Sequence, residues 1–128
     1  MKFLTKYEIE KLAHTILVPG DINSLISFIE QIPKQQWITG DFSRAKFEHG
    51  RRIGTGHCYY GFVNHALPPL SKLPHRYDSC PMSMINDGSI PNMKCYPRRV
   101  RKILKKVKNI DHPKDRVLTA LKYMRDHP

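Results

Sequence analysis

Apolar residues recur with a helical period near both ends of the chain and lose it in the middle. Ile9, Leu12, Ala13 and Ile16 follow the i, i+3, i+4, i+7 spacing of a buried stripe, which predicts a helix over 5–18. Pro19-Gly20 stops it. Asp21 is placed to cap a second helix, 22–32, with Ile22, Leu25, Ile26, Ile29 and Ile32 on one face and Pro33 at its end. Toward the other end, Val100, Ile103, Leu104 and Val107 repeat the same spacing, and Pro97 suits the first turn of a helix over 97–108. A last helix is predicted from Pro113 to Arg125. Asp111 is its expected cap, and Val117, Leu118, Leu121 and Met124 form its apolar face.

The middle reads differently. Residues 34–56 carry Trp37, Phe42, Phe47 and Gly40, Gly50, Gly54 and Gly56 without a period, which predicts irregular chain or short strands with a hairpin around Glu48-His49-Gly50. Residues 57–67 read as a short buried helix with Cys58 and Phe62 on one side. Strand is the competing reading, because Tyr59, Tyr60, Phe62 and Val63 favour strands. Gly61 inside that helix costs about 1 kcal/mol relative to Ala, which points to a close packing contact. Pro68, Pro69, Pro74, Pro81 and Pro91 exclude a long helix from 68–95. An ordered loop is expected there, with a short strand at Met82–Ile85 and a turn at Asn86-Asp87-Gly88. The expected fold class is mainly α, with α+β as the alternative. It is a single compact domain over 1–128 with helices at both ends and an irregular, proline-rich middle.

Composition narrows the setting. A chain of 128 residues fits one domain. Three Cys without a C-x-x-C pair argue against a disulfide framework and for a reducing cytoplasm. The first residues place Lys2, Lys6, Glu8, Glu10 and Lys11 where a secretory signal needs an apolar run. No apolar stretch approaches the ~20 residues of a membrane span, so a cytoplasmic protein without a membrane partner is expected.

Charge is the outlier. Lys and Arg number 22 against 11 Asp and Glu, a net +11. Residues 1–33 carry −1, residues 34–95 carry +4 and residues 96–128 carry +8. The excess gathers on Arg98, Arg99, Arg101, Lys102, Lys105, Lys106 and Lys108, with no acid between them. Ordinary surface helices intersperse Glu for i, i+4 pairing. A face without acids is relieved when phosphates approach and counterions are released. The alternative is a solvated face that only keeps the protein soluble. The pattern fixes the sign and leaves nucleic acid, a nucleotide or an acidic protein open as partners.

A second anion site is suggested by Gly50-Arg51-Arg52-Ile53-Gly54-Thr55-Gly56. Glycines ahead of a helix let backbone N–H groups converge on an anion, with Arg51 and Arg52 as countercharge. The run has neither Walker A nor G-x-G-x-x-G spacing, and a plain glycine-rich turn is the alternative.

The remaining chemistry is sparse. His57, Cys58, His65, His75, Cys80 and Cys95 lack the closely spaced ligand pairs of a zinc site, so no metal and no cofactor is expected. Cys58 with a His base would make a nucleophile, while a buried thiol acting as a small hydrophobe is the common case. Asp41, Glu48, Asp78 and Asp87 are the acids of residues 34–95, and Asp87 is placed to shape a turn. Trp37, Phe42, Phe47, Tyr59, Tyr60, Tyr77 and Tyr96 lie near cations; exposed members would stack on bases, and the rest belong to the core.

Four segments carry a family likeness: Trp37-Ile38-Thr39-Gly40-Asp41-Phe42-Ser43-Arg44, His57-Cys58-Tyr59-Tyr60-Gly61-Phe62-Val63, Ile85-Asn86-Asp87-Gly88, and His112-Pro113-Lys114-Asp115-Arg116-Val117-Leu118. In this order they resemble W-x-x-G, C-x-x-G and I-N-D-G motifs, with a P-[KR]-x-R-V-L helix start, in a set of small bacterial and phage proteins without an established activity. The stretch between the N-D-G turn and the last helix is longer here and holds the basic helix. The resemblance implies no catalytic residue. It implies that Trp37, Gly40, Arg44, Cys58, Gly61, Asn86 and Asp87 are tied together, by core packing or by a shared pocket.

The leading expectation is a non-enzymatic binding module for a polyanion, nucleic acid or nucleotide, in which the resemblance implies a phage-encoded accessory protein acting on a host pathway. One alternative is a small hydrolase or transferase for a phosphorylated small molecule, using the pocket residues. Another is a module that docks on an acidic protein surface.

Overall fold

The computed structural model describes residues 2–65, 82–89 and 96–128. Its architecture is mainly α with one small sheet, as the pattern predicts. The order is α1 (Lys6–Ile16), α2 (Ile22–Glu30), a 3-10 turn (Lys34–Gln36), β1 (Ser43–Glu48), β2 (Arg51–His57), α3 (Tyr59–His65), α4 (Met82–Asp87), α5 (Arg98–Val107) and α6 (Pro113–Asp126).

The N-terminal helices form where the apolar period places them. Thr5 and Glu8 make a reciprocal capping box at α1, and the Asp21 side chain accepts from Asn23 N at the start of α2. Their inward faces, Ile9 and Ala13 on α1 and Leu25, Ile26 and Ile29 on α2, are buried. Lys114, at the start of α6, donates to the Glu30 and Ile32 carbonyls that α2 leaves unpaired at its C-terminal end. In this way α2 is joined to α6 by polar bonds as well as by the apolar core they share.

The middle is more regular than the sequence suggests. β1 and β2 pair antiparallel around His49-Gly50, whose φ values of 52° and 78° are the two positive angles a tight two-residue hairpin requires. A bulge opposite Lys46/Phe47 leaves Ile53 without a cross-strand partner. Residues 51–57 are therefore a strand, and the glycines serve packing. A Cβ at Gly54 would meet Phe3 at 2.8 Å, and one at Gly56 would meet Ile38 at 2.6 Å. The phosphate cradle suggested at 50–56 calls for a glycine loop ahead of a helix, whereas residues 51–57 pair with β1 as a strand.

Two further expectations are corrected. Met82–Ile85 is the start of helix α4 and not a strand; Met82, Ile85 and Asn86 share its buried side. A four-residue apolar run cannot distinguish the two periods. Asn86-Asp87-Gly88 is the end of that helix, where Gly88, at φ +73°, donates to Met84 O in a left-handed cap. The cap of α6 is His112 and not Asp111: the His112 imidazole Nδ1 accepts from Lys114 N, the first N–H of the helix, since Pro113 has none. The prolines at 68, 69, 74, 81 and 91 lie outside the described residues.

α6 sits at the centre of the helical half. α2, α4 and α5 all pack on it, and Val117, Ala120, Leu121 and Met124 are buried among them. The hairpin packs on the 3-10 turn and on α3. Gln36, fully buried, closes the gap between them: its amide exchanges bonds with Leu4 N and O and also donates to Thr55 O. It stands in for a strand that is missing on that edge.

Candidate functional site

α5 presents two opposed faces. Ile103, Leu104 and Val107 are buried against α6, with Val100 half-buried beside them. Arg98, Arg99, Lys102, Lys105, Lys106 and Lys108 are exposed, and Arg101 is half-buried. The remaining cations of the C-terminal segment have partners. Lys122 pairs with Glu30, Arg125 pairs with Asp126, and Lys114 and Arg116 hold main-chain carbonyls. Among the described residues, none of the seven on α5 lies within 4.0 Å of a carboxylate, although Lys106 Nζ stands 5.4 Å from the centre of the Tyr123 ring. Arg98, Arg101, Lys102 and Lys105 enclose a hollow of about 320 Å³ between their side chains. Arg101 Nε is buried and has no acceptor among the described residues.

Arg51 and Arg52 are exposed at the start of β2. Arg51 stands opposite Glu48, and Arg52 donates to Thr55 Oγ1. They belong to the hairpin, whereas the basic face belongs to a helix packed on α6, so the two cation groups sit on different elements of the core. Phe42 and Phe47, 55% and 65% exposed, are also on or beside the hairpin. Of the aromatics considered for stacking, Trp37 and Tyr59 are core, with Trp37 tilted against Phe62 at 4.7 Å between ring centres.

Of the residues grouped by resemblance, hydrogen bonds join Asn86, Asp87 and Gly40, and Trp37, Arg44 and Asp87 share a cleft. Asn86 is fully buried and uses its whole amide: Oδ1 accepts from Tyr59 N at the start of α3, and Nδ2 donates to Ile38 O and to Asp87 Oδ1. Asp87 also accepts from Gly40 N. Arg44 binds Asp41 and the Thr39 carbonyl. Gly61 lies so close to the Phe42 carbonyl oxygen that no Cβ fits. Cys58 is buried and free.

Trp37, Arg44 and Asp87 line a cleft of about 590 Å³ with Lys46, Asp111, His112 and Arg116; Cys58, Gly61 and Asn86 are not part of its lining. Arg116 is 6% exposed, and its guanidinium donates to Ile85, Asn86, Ile110 and Asp111 carbonyls at 2.6–2.7 Å. Burial lowers its pKa, partly offset by Asp87 and Asp111. Burial likewise holds the His112 imidazole below its ordinary value, and the Lys34 charge adds to the effect.

Arg116 and Gln36 are the organising polar residues that sequence reasoning missed. The signal for Arg116 was a charged residue four before Ala120 on an apolar helical face; Gln36 left none. Among the described residues, no three His, Cys, Asp or Glu side chains come together as a metal site. His75, Cys80 and Cys95 lie outside the described residues, as does Tyr77. No described helix is long and apolar enough to cross a membrane. Compared with known proteins, the chain matches no family model, no curated protein and no solved structure.

Proposed function

We propose that the protein is a non-enzymatic nucleic-acid-binding module whose contact surface is the exposed face of α5. The observation that carries this reading is a single helix with Ile103, Leu104 and Val107 buried on one side and six cations on the other, with Lys108 at its C-cap as a seventh, none of them paired with a carboxylate among the described residues. Such a face gains when phosphates replace its counterions, and the gain depends on salt and hardly on sequence. Arg51 and Arg52 are secondary candidates on the hairpin. A cytoplasmic setting suits such a partner, and the motif resemblance adds an accessory role of a phage or bacterial protein.

The cleft around Arg116 supports the hydrolase or transferase reading less well. Its walls carry opposite charges, with Arg44, Lys46 and Arg116 against Asp87 and Asp111. Arg44 and Arg116 are already engaged with Asp41 and with main-chain carbonyls. Cys58 does not reach the lining.

Fluorescence anisotropy with a short random-sequence duplex tests the proposal. Affinity is expected at low salt and should fall steeply between about 50 and 200 mM. Lys102→Glu, Lys105→Glu and Lys106→Glu together should abolish it while the thermal midpoint moves by no more than about 2 °C, as for other exposed substitutions. No binding at low salt, or unchanged binding by the triple variant, overturns the proposal. Binding of the wild type to an acidic protein but not to the duplex does the same and favours the interaction-module alternative.

A further inference from the structure

We infer that Arg98, Arg101, Lys102 and Lys105 form a track for the phosphates of one strand of a nucleic-acid duplex, and that the other three cations of α5 are bystanders. The inference rests on the nucleic-acid reading above and adds which residues make the contact and which form of the polymer they fit.

The seven cations are not equivalent. At 100° per residue, Arg98, Lys102 and Lys105 lie directly opposite the Ile103, Leu104 and Val107 stripe, with Arg101 next to them. Their i, i+3, i+4, i+7 spacing makes one continuous row. Arg99 and Lys106 fall on one flank, with Lys106 occupied by the Tyr123 ring; Lys108, at the C-cap, lies about 20° beyond Arg101 on the other edge, past the last turn of the helix.

Among the described residues, the four of the row line the hollow of about 320 Å³, with no acid beside them. Arg101 lines the hollow, and its Nε has no acceptor among the described residues. A guanidinium donor left without an acceptor there suits a phosphate oxygen, the acceptor that Arg binds in a forked geometry.

The dimensions fit a backbone. From Arg98 to Lys105 the helix rises about 10 Å. A duplex advances about 3.4 Å of axis per phosphate on each strand while turning about a tenth of a turn, which sets successive phosphates about 7 Å apart, so the row spans about two phosphates of one strand. The row is held straight by the helix, whose inner face is fixed on α6. A duplex offers phosphates that are already held in place. A single strand would have to be ordered to meet it, and single-strand sites recover that through stacking on aromatic rings. Among the described residues the α5 face offers no free ring: Tyr123 lies under Lys106 and stacks on His127 at 4.1 Å, Tyr96 is half-buried and bonded to Met84, and the exposed Phe42 and Phe47 belong to the hairpin region.

The test uses two double variants of equal charge change. Arg101→Gln with Lys105→Gln removes two track residues; Arg99→Gln with Lys108→Gln removes two flanking ones. The readout is the slope of log affinity against log salt on a duplex, with thermal melts confirming that both variants are folded. The track pair should lower the slope by about 1.8, since each phosphate contact contributes about 0.9, and the flanking pair should leave it nearly unchanged. Arg101→Lys with Lys105→Arg, which keeps both charges, should retain most of the slope. The wild type should bind duplex at least about tenfold more tightly than either separated strand.

Equal losses from the two charge-removing pairs would show that only net charge matters and would overturn the track. Equal affinity for single strand and duplex would overturn the choice of polymer. A wild type that binds no nucleic acid at any salt instead removes the proposed function itself, so the two failures are distinguishable.

Discussion

Replacing Arg116 with Met should destabilise the protein severely while leaving its surface untouched. The guanidinium bridges three pieces of chain: the end of α4 through the Ile85 and Asn86 carbonyls, the α5–α6 turn through those of Ile110 and Asp111, and α6 itself. Hydrogen bonds to a charged donor contribute about 1.5–3 kcal/mol each, so four are worth roughly 6 kcal/mol or more before desolvation. Burying the charge costs several kcal/mol in return, and the lowered pKa has burial as its leading cause. Met fills much of the volume but has no donor, leaving four carbonyls unpaired. The net loss should be about 3 kcal/mol. For a domain of this size that corresponds to a drop of about 10–15 °C in thermal midpoint. Urea unfolding should show a lower midpoint at an unchanged slope. Lys retains the charge but not the planar fork, so Arg116→Lys should recover only a minor part of the loss. A midpoint for the Met variant within about 2 °C of wild type would refute the clamp, and a wild-type-like Lys variant would show that charge, not geometry, is what matters.

Two other substitutions probe the same junction. Gly61→Ala gains about 1 kcal/mol in intrinsic helix propensity, yet its methyl would collide with the Phe42 carbonyl and approach His57 Cβ at 2.9 Å; a net loss of about 2–3 kcal/mol is expected in urea unfolding, and an equal or higher midpoint would contradict it. His112 caps α6 only while Nδ1 is unprotonated, and burial holds its folded pKa below the unfolded value of about 6.5, so its contribution is complete above that pH and is lost as pH falls toward the folded value. Thermal midpoints should therefore drop more for wild type than for His112→Asn, a non-titrating cap, between about pH 7 and pH 5; parallel curves would argue against it.

The helical ends were legible because each carries a complete apolar stripe and a stop signal. Val100, Ile103, Leu104 and Val107 specify both the existence of α5 and which side turns inward, and the cationic side follows by exclusion. Asn86 was singled out as part of a turn, and its neighbours Trp37, Gly40 and Tyr59 were in view, but its role as a buried cap for a distant helix was not. That role depends on which backbone groups arrive from 48 and 27 residues away, and local sequence does not encode such arrivals. The glycines of β2 misled for a related reason. A glycine run that admits Phe3 and Ile38 is indistinguishable, residue by residue, from one that admits a phosphate. Asp111 has the composition of a cap and His112 does not; the geometry nevertheless selects His112, the residue next to Pro113.

The basic face is the one feature whose physical logic runs against stability. Like charges at i, i+3 and i, i+4 repel by about 0.2–0.5 kcal/mol each, and α5 contains several such pairs, such as Arg98 with Arg101 and Lys102, and Lys105 with Arg101, Lys102 and Lys108. Together they oppose the helix by on the order of 1–3 kcal/mol at low salt. Burial of Ile103, Leu104 and Val107 contributes about 1.5–3 kcal/mol apiece in the opposite direction, so the inner face outweighs the outer. α5 is thus held from beneath by α6, and its charges are not what keeps it folded. That separation makes the binding variants informative: altering the outer face changes electrostatics without removing what anchors the helix. It also explains how a helix with no intrahelical acid can persist. The repulsion is tolerated by the packing below it, and a neighbouring phosphate backbone would turn the same repulsion into attraction.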